Sequence, residues 1–152
     1  MIGENGILST PAVSTIIRRY GMSGGFILTA SHNPGGPDAD FGIKYNIENG
    51  GPATEVITNE IHQLTTTINE YHTLERPLPV NLCQKGTTDY QIGNGKTFRV
   101  NIISTTKEYI DYMKEIFDFD LIKNFLNGAN GKPAFKILVD GLNGGKLSFF
   151  PN

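Results

Sequence analysis

The sequence predicts an α/β layered fold, a sheet covered by helices, and three observations carry that expectation. Short apolar runs bounded by glycine alternate along the chain with segments whose apolar residues recur at helical intervals. The clearest strand is Gly25-Phe26-Ile27-Leu28-Thr29-Ala30, an unbroken run suited to burial on both faces. The clearest helix carries Val56, Ile57, Ile61, Leu64 and Ile68 at spacings that make one stripe, the pattern of a helix packing on a sheet.

The other elements follow in order. Ser9-Thr10-Pro11 reads as a helix start, because a hydroxyl cap followed by proline pre-sets the first turn; the helix should run to about Tyr20 and stop at Gly21. After the strand at 25–30 comes a glycine-rich loop, Gly35 to Asp40, and a second strand over Phe41–Asn46. The striped helix should open at Pro52 and end near Tyr71. The stretch from Thr73 to Lys96 is rich in turn formers and reads as loop with one short strand. Thr97–Ile103 alternates as a strand, and Thr105-Thr106-Lys107-Glu108 resembles a capping box for a helix burying Tyr109, Met113, Ile116 and Phe117. A short helix over Asp120–Leu126 and a linker over Asn127–Pro133 precede Phe135–Asp140, which reads as the first strand of a new unit.

Composition narrows the function classes. With 152 residues and 38% hydrophobic content, the chain is long enough for one ordinary domain with a core. A net charge of −2 offers no basic field for nucleic acid or anionic membranes. The single cysteine, Cys83, cannot make an internal disulfide, and with no zinc-spaced Cys/His cluster it reads as an ordinary packed thiol in a cytosolic protein. The N-terminus lacks the basic patch and apolar run of a secretory signal, and no segment approaches the roughly 18 apolar residues of a membrane span. A soluble, cytoplasmic protein is expected.

The chemistry-bearing feature is Ser31, which follows the apolar strand and is trailed by His32, Asn33 and Pro34. Most Ser-His neighbours in loops are solvated polar residues. A hydrolase triad is disfavoured because no G-x-S-x-G elbow surrounds Ser31 and adjacent loop residues rarely bring imidazole onto hydroxyl. The glycines do not make a nucleotide loop, since the Gly-Lys-Ser/Thr ending is missing. Asp38 and Asp40 read as turn formers, and His62 and His72 as solvated helix histidines.

The whole string from Gly24 through Ser31-His32-Asn33-Pro34 to Lys44-Tyr45-Asn46 is similar, nearly letter for letter, to the phosphoserine loop of phosphoglucomutases in the α-D-phosphohexomutase superfamily. The similarity extends upstream through Asn5–Val13 and downstream through Asn49–Ala53, and more weakly to about Gly144. The Gly-Gly-Pro-Asp-Ala-Asp insert at 35–40 resembles the glucose-specific branch.

The resemblance implies a three-layer α/β/α first domain with a mixed sheet, incomplete here: residues 1–134 as partial domain I, and 135–152 as the truncated start of domain II with an unrelated tail at 145–152. It implies that Ser31 is a phosphoserine exchanging its phosphoryl group with glucose monophosphates through glucose 1,6-bisphosphate. The phosphate of Ser31 would be one ligand of Mg2+, whose other ligands in the family are aspartates of a loop that this sequence lacks. Lys44, thirteen positions after Ser31, matches the family's proposed general acid/base, a role that needs burial or nearby positive charge to bring its pKa toward neutrality. His32 matches the histidine that hydrogen-bonds substrate or phosphate. Sugar phosphates are the implied partners. The chain alone is expected to be inactive and to leave a sheet edge and apolar helix faces uncovered. The alternative is a non-catalytic structural or signalling relative of the family.

Overall fold

Residues 1–144 are described by a computed structural model, and their first long helix is set by Ser9. Its Oγ accepts the Ala12 N–H at 3.3 Å, and Pro11 lies in the first turn, where a missing N–H leaves no bond unmade. Helix α1 (Thr10–Tyr20) ends at Gly21, which takes the left-handed conformation at φ 58° that favours glycine. Ala12, Thr15, Ile16 and Ile17 form its buried face. The Thr15 hydroxyl donates to the Pro11 carbonyl at 2.9 Å, so its burial leaves no polar group unsatisfied.

That face lies on strand β2 (Gly24–Thr29), paired antiparallel with β3 (Gly42–Ile47) from Gly24↔Ile47 to Thr29↔Gly42. Gly25 lets the helix close on the strand, since a Cβ there would stand 3.2 Å from both Val13 and Ile17. Ile27 is buried on this side. The expected burial on both faces does not hold: Phe26 and Leu28, which alternate onto the other face, are 70% and 64% exposed because no described element covers that side of the ribbon. Asn46 is buried, and its Nδ2 donates to Ser14 Oγ at 3.2 Å and to the Gly50 carbonyl at 3.0 Å, tying the turn after β3 to α1.

The remaining strands form a separate sheet, not a continuation of the first. Strand β5 (Thr97–Ile103) is central, with β1 (Ile2–Gly3) parallel on one edge and β4 (Gly86–Gln91) antiparallel on the other, so this sheet is mixed. Val100 and Ile102 are its buried residues. Across β4 and β5, Arg99 grips Asp89 through two hydrogen bonds of 2.7 and 2.8 Å, which hold the carboxyl below its usual range. Cys83 is an exposed thiol, not a packed one, because its segment forms a surface turn in which the Cys83 N–H donates to Asn81 Oδ1.

Helix α2 (Glu55–Thr67) begins and ends inside the expected span. At its end the hydroxyls of Thr65, Thr66 and Thr67 all bond back to carbonyls of the preceding turn. The stripe is present but unpacked, with Val56, Ile61, Leu64 and Ile68 exposed and only Ile57 half-buried. Periodicity marks the side a helix would bury; among the described residues no sheet face lies there to bury it.

Helix α3 (Lys107–Ile116) is capped differently from the expected box. Ser104 Oγ accepts the Thr106 and Lys107 N–H groups, one register upstream of the Thr105/Glu108 pair. It packs beside α1, where Arg18 lies 5.8 Å from the Tyr112 ring centre and Arg19 pairs with Glu115 at 2.7 Å. Tyr109 and Met113 are half-buried, whereas Ile116 and Phe117 are exposed at the helix end. Helix α4 (Phe119–Leu126) is capped by Asp118, which accepts the Leu121 N–H at 2.9 Å.

No strand forms over 135–140, since no described strand offers a ladder partner. Phe135 instead stacks on Phe125, ring centres 4.8 Å apart, and its N–H donates to the Leu126 carbonyl. The tail expected to be unrelated, 145–152, lies outside the described residues.

The turn after β3 supplies a sharp test of this architecture. Gly50 is buried at φ 81°, and a Cβ would stand 2.6 Å from the Ser14 carbonyl oxygen. Gly50→Ala is expected to lower unfolding stability by more than the about 1–2 kcal/mol of the left-handed conformation alone, measured by urea titration against Gly51→Ala, which should cost less.

Candidate active site

Strand β2 ends at Thr29, and the next two residues turn the chain out of the sheet. Ser31 adopts φ 61°, a left-handed conformation uncommon for a residue with a Cβ. Its N–H donates to Thr29 Oγ1 at 2.9 Å, and the Asn33 N–H donates to the Ala30 carbonyl at 3.1 Å. The result is a tight corner with Ser31 exposed at its apex. Backbone strain of this kind is of order 1 kcal/mol, and the two hydrogen bonds offset it.

The Ser31 Oγ lies 3.2 Å from His32 Nδ1. Neighbouring loop residues rarely meet in this way; here Ser31 takes the left-handed conformation and the two side chains lie on the same side. A neutral imidazole with a bare Nδ1 accepts the serine proton; a protonated ring donates to the oxygen instead. The loop still lacks the G-x-S-x-G elbow, so the contact does not make a hydrolase of it.

Beyond His32 the loop is closed on itself. Asn33 Nδ2 donates to Asp40 Oδ2 at 2.6 Å, and the Asp40 N–H donates to the Pro34 carbonyl at 3.1 Å. Asp40 is therefore spent on loop closure, in keeping with its reading as a turn former.

Ser31 and His32 border an open cleft of about 550 Å³, whose other walls are Gly6–Thr10 at the start of α1, Ile27–Thr29 of β2, and Gly141 and Gly144. The last two lie outside every sequence expectation for the site. The segment after Phe135 folds back, and Asn143 donates from its backbone N–H at 3.3 Å and from Nδ2 at 3.4 Å to the His32 carbonyl. The Gly-Leu-Asn-Gly string at 141–144 signals a turn, but no local pattern tells where a turn docks.

Lys44 is not brought to Ser31. It stands on β3 opposite Ile27, two residues or about 7 Å back along the ribbon from the Thr29–Gly42 pair. Its side chain is exposed and outside the cleft lining, with no hydrogen bond or ion pair among the described residues. His62 and His72 are exposed and absent from the cleft lining.

Comparison with known proteins defines the class. The family profile "Phosphoglucomutase/phosphomannomutase, alpha/beta/alpha domain I" matches residues 2–72, the stretch that holds the serine corner. Phosphoglucomutase 1 of Drosophila melanogaster is 51% identical over 145 residues, covering 95% of this chain and 25% of the fly protein. Human phosphoglucomutase-1 is 49% identical with the same coverage, and a cytoplasmic phosphoglucomutase of Mesembryanthemum crystallinum is 50% identical over 94% of the chain. The crystal structure of the open form of pp63/parafusin, an exocytosis-sensitive phosphoprotein and phosphoglucomutase from Paramecium, superposes with a TM-score of 0.76 at 40% identity, over 83% of this chain and 24% of that one. The fold and these matches together place residues 2–72 in an α/β/α first domain of the phosphoglucomutase/phosphomannomutase type. Within that class, the chain belongs to the phosphoglucomutase family and spans about a quarter of the length of the curated relatives it matches.

The loop closure yields a direct test. Asp40→Ala removes the acceptor of the Asn33 side chain; because the pair is solvent-exposed, global stability should hardly move. Limited proteolysis within 34–40 is expected to speed up several-fold, with cut sites located by mass spectrometry, while Asp38→Ala leaves the rate unchanged.

Proposed function

We propose that Ser31 carries a phosphoryl group and that this segment is the serine loop of a phosphoglucomutase, which interconverts glucose 1-phosphate and glucose 6-phosphate through glucose 1,6-bisphosphate in the cytoplasm. The observation that carries the reading is the exposed serine held in a strained corner at the cleft edge, its Oγ at 3.2 Å from His32 Nδ1. In such a transfer the sugar hydroxyl forms its bond to phosphorus as the Oγ–P bond breaks, and the hydroxyl proton must leave. Lys44 is assigned to take and return that proton, with His32 hydrogen-bonding the phosphoryl oxygens. The assignment of Lys44 rests on its place in the matched string; its side chain is exposed and stands apart from the Ser31 cleft lining.

Magnesium, implied by the resemblance, would take one oxygen here, from the phosphate of Ser31. Among the described residues no three histidine, cysteine or carboxylate side chains converge to complete a site. These residues therefore do not fit a whole magnesium site by themselves, since the ion prefers about six oxygen donors in octahedral array. The non-catalytic alternative draws support from the Paramecium relative, which bears the name of an exocytosis-sensitive phosphoprotein as well as that of a phosphoglucomutase. Turnover separates the two readings.

Full-length protein treated with labelled glucose 1,6-bisphosphate should carry phosphate on the Ser31 peptide by mass spectrometry, and Ser31→Ala should lose both label and turnover; label on another residue would overturn the assignment. Lys44→Met is expected to lower kcat while substrate binding stays near wild type. An unchanged kcat would remove Lys44 from the mechanism. Residues 1–152 alone should show no turnover above their Ser31→Ala control in a coupled dehydrogenase assay.

A further inference from the structure

The serine corner is held from two sides by groups remote from each other in the chain. On the strand side, Thr29 Oγ1 takes the Ser31 N–H at 2.9 Å. On the other side, both donors of Asn143 converge on the His32 carbonyl at 3.3 and 3.4 Å. Between these anchors lies the single peptide that joins Ser31 to His32, and Ser31 is the residue held at φ 61°. Rotation of that peptide changes ψ of Ser31 and φ of His32 and would carry Oγ away from Nδ1.

Asn143 is itself in a constrained turn. Asp140 Oδ1 accepts the Leu142 N–H at 2.8 Å, Leu142 takes φ 51°, and the Gly144 N–H donates to the Gly141 carbonyl at 2.8 Å. Gly144 reaches so near the corner that a Cβ on it would lie 3.8 Å from the Ser31 carbonyl oxygen. The turn thus presents the Asn143 amide in a fixed direction.

We propose that Asn143 is a positioning residue for the phosphoryl-transfer reaction: by holding the His32 carbonyl opposite the Thr29 anchor, it fixes the Ser31–His32 peptide and keeps the Ser31 oxygen beside the His32 ring. Asn143 touches no reacting atom. Its effect belongs to kcat, because an oxygen that swings out of line loses transfer without altering how the sugar phosphate is gripped. The proposal rests on Ser31 being the phosphoryl carrier.

The test uses full-length protein with Asn143→Ala, Asn143→Asp and Thr29→Val. Asn143→Ala keeps the backbone donor and is expected to lower kcat about tenfold, equivalent to about 1.4 kcal/mol, with KM for glucose 1-phosphate unchanged within about twofold. Amide hydrogen exchange should accelerate at residues 31–33 and not in β5. Asn143→Asp, which faces a carboxylate toward a carbonyl, should be slower still, and Thr29→Val should give the same exchange signature from the other anchor. Wild-type kcat and exchange in Asn143→Ala would overturn the proposal, as would a loss of activity accompanied by an equal fall in Tm and a raised KM, the mark of a structural role alone. If wild-type protein takes no label on Ser31 the functional assignment itself fails, whereas normal Ser31 labelling with an unaffected Asn143→Ala variant sinks only the positioning role.

Discussion

The close approach of α1 to β2 is the constraint on which the rest of this structure depends. It requires a residue without a side chain at Gly25, a small residue at Ala12, and two isoleucines, Ile16 and Ile17, to fill the seam. Once the helix lies on the strand, the end of β2 is fixed in space, and Ser31 leaves the sheet from a defined point. Asn46 extends the constraint to β3: with its amide bonded to both Ser14 and the Gly50 carbonyl, β3 cannot slide along β2 without breaking a buried polar contact. The site therefore inherits its geometry from a small seam on one face of the ribbon, not from a large core.

Local chemistry makes much of this legible in the sequence. Ser9-Thr10-Pro11 and Gly21 mark the two ends of α1 because capping and left-handed termination are satisfied by the residue itself. The strands at 25–30, 41–46 and 97–103 are visible for similar reasons, as their apolar runs are bounded by turn residues. What the sequence does not disclose is tertiary. The stripe on α2 tells which side is apolar, but not that no described sheet lies against it, and Phe135–Asp140 has strand composition without a strand partner. Between Thr105 and Ser104 as the cap of α3, the choice depends on where the chain leaves β5, which no capping pattern encodes.

The same division applies at the site. Ser31 and His32 stand out in the loop string, but their contact depends on the sign of one backbone angle that residue type does not dictate. Lys44 stands out by its place in the matched string, yet the register sets it opposite Ile27 and apart from the cleft lining. Thr29 reads as the end of a strand and is also the acceptor that shapes the corner.

Asn143 and His32 are separated by 111 positions, and this distance has a consequence for assembly. Closing a free loop of that length costs about 4 kcal/mol, more than two long, exposed hydrogen bonds return at about 1 kcal/mol each. The contact can exist only because other pairings span the gap first: β1 on β5, joining Ile2 to Ile102, and Arg19 on Glu115 between α1 and α3. On the ribosome, the corner would have only its Thr29 anchor while more than a hundred further residues were added before its second anchor was made. The contact that completes the corner thus depends on those pairings, and the serine loop gains its second anchor after the scaffold that carries it.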